Sequence, residues 1–317
     1  MIKTEEMFYA GIPTFMGGDY VAIENVGNYD VGVLGVPVDN GSSYRLGSKY
    51  APRAIRGYSA WDRVDGQICH DYDTNSTLQS NSLRICDLGD VNVWPGNPEN
   101  NQKATMDVVE KIRRKAFPVV LGGDHSITYG AFIGCKKGCE KDKVGILHFD
   151  AHNDVEDSLL TLPDVWHGNV FRKLIEEGHV EGKRMLSVGV RGLVNKEWYD
   201  YANEKGIGLI TSNKVNENKV SDTIREIHDF FKDCDGVYVS FDIDCLDISI
   251  AAGTGVPKYN GLRMGDVIEI IRSLKGLNTI GFDLVEVNPE YDKNRSTTLL
   301  ACEILYNFLA YGLELKK

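Results

Sequence analysis

Short apolar runs recur along this chain, each closed by polar or glycine-rich residues. They cover 29–37, 83–91, 117–123, 144–150, 184–190, 207–210, 236–241 and 277–283. Runs of this length, rich in Val, Ile and Leu and without strict alternation, predict strands buried on both faces. Between them lie stretches with helical periodicity at 101–115, 168–178, 195–205, 219–232 and 263–274. A helix starts at Ala51-Pro52, with proline in its first turn, another follows Ser126 as N-cap to about residue 135, and a last one covers 296–311. Strands alternating with helices imply an α/β fold. The expected architecture is three-layer αβα, a single doubly wound domain with a mostly parallel sheet of about eight strands. Residues 1–28, broken by Gly11, Pro13, Gly17 and Gly18, form an N-terminal arm, and 29–317 form one domain.

The bulk numbers narrow the function classes. Hydrophobic residues make up 42% of the 317, which suits a sizeable core. A formal charge of −11 argues against nucleic acid as a partner. No apolar run is long enough for a bilayer, and the N-terminus lacks the pattern of a signal peptide. The seven cysteines are scattered without a zinc or redox spacing, as expected of reduced thiols in a cytoplasmic protein.

The acidic and histidine residues gather at the ends of the apolar runs, the edge at which open α/β sheets carry their sites. After 144–149 come Asp150, His152 and Asp154, which share a face if the extended chain continues. That segment alone also reads as an acidic loop. Asp242 and Asp244 repeat the spacing after another run, and His125 follows a third. Four carboxylates and two imidazoles exceed the need of one ion, and shared carboxylates can bridge two ions about 3.5 Å apart. The donors are oxygen-rich and thiol-free, which favours Mn²⁺ over a structural Zn²⁺. Cys245 has the opposite parity and reads as a small core residue.

Five motifs in order resemble the ureohydrolases, the arginase and agmatinase family: Gly122-Gly123-Asp124-His125-Ser126, Asp150-Ala151-His152-Asn153-Asp154, His167-Gly168, Ser240-Phe241-Asp242-Ile243-Asp244-Cys245-Leu246-Asp247 and Glu286-Val287-Asn288-Pro289. The resemblance runs from about Gly32 to the last helix. It implies the arginase/deacetylase-like fold and two Mn²⁺ per subunit, with Ni²⁺ or another divalent ion as the alternative, held by His125, Asp150, His152, Asp154, Asp242 and Asp244. It further implies a hydroxide bridging the ions as nucleophile, Glu286 as the guanidinium anchor, Asp154 as proton relay and His167 as proton shuttle. A guanidinium group would be cleaved to urea and an amine. A homo-oligomer, trimer or hexamer, is part of the same implication.

Gly253-Thr254-Gly255-Val256-Pro257 and Gly35-Val36-Pro37-Val38-Asp39 resemble agmatinases more than arginases. Glu156 and Asp157, just past the metal motif, would repel a substrate carboxylate and accept an amine. The expected substrate is therefore the small cationic guanidine agmatine, giving putrescine for polyamine formation. The segment 248–252 lacks the prolines usual in agmatinases, which alters backbone limits beside the site and leaves other substrates open. These are guanidinobutyrate, another guanidino acid, arginine and free guanidine. A non-catalytic relative that binds metal or ligand is the alternative from a different class.

Overall fold

The computed structural model describes residues 11–60, 68–79 and 83–315. Its strands in chain order are β1 (Asp19–Tyr20), β2 (Val31–Val36), β3 (Ile68–Asp71), β4 (Ser76–Gln79), β5 (Ile85–Asp90), β6 (Phe117–Gly122), β7 (Val144–Phe149), β8 (Met185–Val190), β9 (Gly208–Thr211), β10 (Gly236–Asp242) and β11 (Thr279–Val285). Helices are α1 (Ala51–Ser59), α2 (Pro98–Arg113), α3 (Thr128–Cys139), α4 (Val170–Glu176), α5 (Lys196–Lys205), α6 (Ser212–Glu217), α7 (Val220–Phe231), α8 (Met264–Ser273) and α9 (Ser296–Asn307). Nine strands pair in parallel in the order β1-β5-β2-β6-β11-β10-β7-β8-β9, and β3-β4 is a separate antiparallel hairpin.

Every residue of β2, β6, β7, β10 and β11 is buried. Alternate residues feed two cores. Val31, Leu147, Val237 and Phe282 pack with Ile55 of α1, Ile227 of α7, Ile270 of α8 and Leu305 of α9. Leu34, Val120, Ile146 and Tyr238 pack on the other face with Ile112 of α2, Phe132 of α3 and Phe171 of α4. Burial on both faces explains why these strands read as continuous apolar runs. Helix α3 lies very close to α2, because Gly130 and Gly134 face it. An added Cβ at Gly130 would sit 2.5 Å from the Gln102 carbonyl oxygen.

The eight predicted strands are all present, and the ninth is β1. Residues 1–10 of the expected arm lie outside the described residues, but its later part joins the domain. Phe15 is buried, and Asp19–Tyr20 pairs with β5. The hairpin β3-β4 and helix α6 were not expected. The single helix predicted over 296–311 is α9 followed by a π-helical turn, Phe308–Gly312. No helix among the described residues is long and apolar enough to cross a membrane.

Topology places the site. The chain builds β2, β5 and β6, crosses to build β7, β8 and β9 outward, then returns to insert β10 and β11. The carboxyl ends of β6, β11, β10 and β7 therefore stand side by side at the switch point, where ligands bind in such sheets.

A buried ion cluster ties the first helix to this frame. Arg56 donates from Nε to Asp87 Oδ2 at 2.8 Å, from Nη1 to Asp90 Oδ1 at 2.6 Å and from Nη2 to the Gly89 carbonyl at 2.7 Å. Asp87 Oδ2 also accepts the Phe15 amide at 2.7 Å. Arg56→Met would leave the Asp87 carboxylate, 1% exposed, without its counter-charge. The expected loss is about 3–5 kcal/mol in denaturant unfolding. A loss below about 1 kcal/mol, the level of an exposed pair, would contradict this assignment.

Candidate metal centre

Three aspartates make the same local turn at three strand ends. Asp124 Oδ1 accepts the Ser126 amide at 2.9 Å, Asp150 Oδ1 the His152 amide at 2.6 Å, and Asp242 Oδ1 the Asp244 amide at 2.7 Å. Each is an aspartate bonding its backbone two residues on, which turns the chain back over the sheet edge. The convergence of Asp150, His152 and Asp154 thus has a different cause from the predicted one. Strand β7 ends at Phe149, and the chain after it turns, with Asp154 in the left-handed region at φ 47°. Asp244 likewise sits in a 3-10 turn, Ile243–Cys245, rather than an extended strand.

The six predicted donors come together. His125 Nδ1 lies 3.2 Å from Asp150 Oδ2, 3.0 Å from Asp154 Oδ2 and 3.3 Å from Asp242 Oδ2. His152 Nδ1 lies 3.2 Å from both Asp150 Oδ1 and Asp244 Oδ2. Two groups able to hold a cation result, one of His125, His148, Asp150 and Asp154 and one of Asp150, His152 and Asp244, with Asp242 beside the first; Asp150 belongs to both, one oxygen toward each. His125 is fully buried, yet its Nδ1 makes no directed hydrogen bond to any of the three oxygens around it. A ring nitrogen and three carboxylate oxygens aimed at one point fit a divalent cation better than they fit one another.

The electrostatics agree. Burial, then Asp244 and Asp150, push the Asp242 carboxyl well above the usual carboxylate range. Burial opposes charge on His125, but Asp150, Asp154 and Asp242 together drive its pKa well up. Carboxylates this close and this buried must gather positive charge, as protons or as metal.

Behind the donors a polar row crosses the sheet in register: Ser187 on β8, His148 on β7, Ser240 on β10 and Asp283 on β11. All four are buried. Asp283 accepts from Tyr238 at 2.7 Å, Thr128 at 2.9 Å and Ser240 at 2.7 Å. With its one hydrogen given to Asp283, Ser240 Oγ accepts from His125 Nε2 at 2.9 Å. That assigns the proton to Nε2 and the lone pair to Nδ1, the form a metal needs. His148 bridges Ser187 at 3.0 Å and Asp150 Oδ2 at 2.8 Å. Both its ring nitrogens are engaged, so it reads as an orienter of Asp150. None of these supporting residues was given a role from sequence, although Ser240 stands in one of the five motifs. Their signal was a polar side chain inside a buried strand.

Glu286, also left-handed at φ 64°, stands beyond β11. Its Oε1 accepts the His125 amide at 2.9 Å and meets His167 Nδ1 at 3.0 Å. Burial opposes ionisation, but His167 and the His125 amide hold the Glu286 pKa below the usual range. Its Oε2 faces Gly255, where an added Cβ would come within 3.2 Å. His167 Nε2 meets Ser43 Oγ at 2.8 Å and the Ser43 amide at 3.1 Å. Burial opposes protonation of His167, yet Glu286 raises its pKa to about 9. Asp124, a further residue not predicted, accepts the Gly41 amide at 2.7 Å and so holds the Ser43 loop.

These side chains line a cavity of about 90 Å³ that includes Ser43, His152, Asp154, Glu156, His167 and Glu286. Glu156 is thus where it was expected. Asp157 is not. It pairs with Arg172 at 2.6 Å and accepts from Trp198 Nε1 at 3.2 Å, away from the cavity. The 248–252 segment does not line it either. Ser249 and Ile250 border a separate groove, and the same loop reaches the cavity only at Val256. Cys86, Cys135, Cys139, Cys234 and Cys245 are in no disulfide.

A parallel αβα sheet with a buried carboxylate–histidine cluster at its switch point defines a protein with the donor set of a two-cation site. Residues 29–310 match the model of the arginase family, and the chain belongs to that family. It is 36% identical over 284 residues to the mitochondrial guanidino acid hydrolase of Homo sapiens, covering 88% of this chain and 77% of that one. It is 35% identical over 282 residues to the mitochondrial agmatinase of Gallus gallus, covering 88% and 80%. Proclavaminate amidino hydrolase from Streptomyces clavuligerus superposes with a TM-score of 0.85 at 29% identity, covering 97% of this chain and 99% of that one. The chain is accordingly an enzyme of the class that hydrolyses amidino carbon–nitrogen bonds, acting on guanidino compounds.

Ser240→Ala removes the acceptor that sets the His125 tautomer. Titration of the purified variant with Mn²⁺ should show affinity about 10–100-fold weaker than wild type. An affinity within about twofold would remove Ser240 from the support of the site.

Proposed function

We propose that this protein hydrolyses a guanidino compound to urea and an amine, with two divalent cations held by His125, Asp150, His152, Asp154, Asp242 and Asp244. The single observation that carries the reading is the convergence of these six donors, four of which (His152, Asp154, Asp242 and Asp244) line one cavity with Glu286. Two cations, when bound, supply Lewis-acid activation of water at neutral pH.

The chain's own residues do the rest. Glu286 is held as a carboxylate with Oε1 fixed by the His125 amide and His167, so Oε2 is presented to the guanidinium. A charge-assisted hydrogen bond from the guanidinium then fixes its central carbon for attack. Asp154 takes a proton from the attacking water and delivers it to the leaving nitrogen. His167, between Ser43 and Glu286 at the cavity wall, exchanges protons with solvent. The C–O bond forms, the C–N bond breaks, and urea leaves with the amine. Convergence of every one of these groups favours catalysis over a purely binding role.

Agmatine was expected because Glu156 and Asp157 would both receive an amine. With Asp157 turned to Arg172 and Trp198, Glu156 alone supports that choice.

Urea release with Mn²⁺, and separately Ni²⁺, should be measured across agmatine, arginine, guanidinobutyrate, guanidinopropionate and guanidine. Turnover of at least one is expected, with loss on chelation and recovery on adding metal back. Asp242→Ala should lose both metal and urea release, and unchanged turnover in that variant would eliminate the mechanism. Glu286→Gln should bind metal normally while its kcat/KM falls by about 10–100-fold, the effect of weakening one charge-assisted hydrogen bond.

A further inference from the structure

The metal cavity continues into a larger groove of about 580 Å³, and His152 and Glu156 line both. The far wall of this groove carries two cations, Arg191 and Lys258. Arg191 is fully engaged. Its Nε donates to the Tyr259 carbonyl at 2.9 Å, its Nη1 to Gly189 and Cys245, and its Nη2 to Asp244, Leu246 and Lys258. It stitches the wall together and has nothing left for a ligand. Lys258 differs. Its ammonium makes one long contact, 3.4 Å to the Arg191 carbonyl, and its charge acts on the Glu156 carboxyl from beyond ion-pair distance. An ammonium has three donors, so most of its capacity faces the groove. Its stem lies across Gly192, half-buried, rather than extending into solvent.

We infer that Lys258 reads a carboxylate at the far end of the substrate, so that this enzyme takes an ω-guanidino acid in preference to a guanidino amine. The inference rests on the guanidine-hydrolase reading above. Val256 lines the inner cavity and Lys258 the groove, two residues further along the same strand of loop. Two residues of chain span at most about 7 Å, the reach of a short methylene tail. Glu156 sits at the junction, nearer the cationic end of such a substrate, and Lys258 lies beyond it. A guanidinium between Glu286 and Glu156, followed by a carboxylate at Lys258, matches charge at both ends. On a chain of net charge −11, attraction of an anionic group must be local, and this ammonium is the local source.

The test uses 4-guanidinobutyrate and agmatine, which differ little except in the charge of the far end. Wild-type kcat/KM should favour guanidinobutyrate at least about tenfold. Lys258→Met should lower the ratio of the two kcat/KM values by about 10–100-fold, mainly through KM for the acid, and Lys258→Glu should reverse the preference. A wild-type preference for agmatine, or a ratio unmoved by both variants, overturns the inference. Calorimetric binding of both compounds to the metal-loaded protein separates the two layers of the argument. Selective binding of the acid that Lys258→Met abolishes, without urea from any guanidine, would retract hydrolysis and retain the role of Lys258. Urea from both compounds with an unmoved ratio would do the opposite.

Discussion

The structure depends on one electrostatic problem, which is how to keep four carboxylates buried within a few ångströms of one another. Asp150, Asp154, Asp242 and Asp244 could not remain together by packing alone: burial and the neighbouring carboxylates push Asp242 and Asp244 up, while three histidines hold Asp150 ionised. Every neighbouring arrangement answers this. Two imidazoles stand against the oxygens, backbone amides are turned inward at Asp150 and Asp242, and a polar row lies under the cluster inside an otherwise apolar sheet. The cluster is stable to the extent that positive charge completes it, which links folding of this edge of the sheet to metal binding.

The parallel topology supplies the geometry. Four neighbouring strands each deliver one piece of the site, and none is adjacent in sequence to all the others. The long-range pairings that assemble the sheet therefore assemble the chemistry as well. The donors sit at the end of β10 and in the tight turns that directly follow β6, β7 and β10, so their distances are set by the sheet beneath them. The less regular parts, the Ser43 loop and the 253–258 segment, shape the cavity and its approach.

Much of this was legible in the sequence, for physical reasons that can be named. Strands buried on both faces are written as unbroken apolar runs, so the layer architecture was readable. The six donors lie within a few residues of those runs, so their gathering was readable too. The parity argument grouped residues that do lie together, but by a wrong route, since alternation holds only while the backbone stays extended and both motifs turn at once. Asp157 was misplaced because two consecutive acids after a turn carry no local sign of which one faces inward. Its neighbours Arg172 and Trp198 are remote in sequence. Ser240, His148 and Asp283 were visible as polar residues in apolar strands, but their partners are set by cross-strand register, which one strand does not contain.

Asp154 and Glu286 both hold a left-handed backbone, a conformation that costs a non-glycine residue of order 1 kcal/mol or more. Both carry side chains that the proposed mechanism uses, on a backbone that such side chains disfavour. Selection for thermal robustness alone would thus find its easiest gains in glycine or asparagine at these two positions. Under the proposed mechanism such lineages would grow more durable while falling silent, and a search for hardier forms of this enzyme would hold both positions constant.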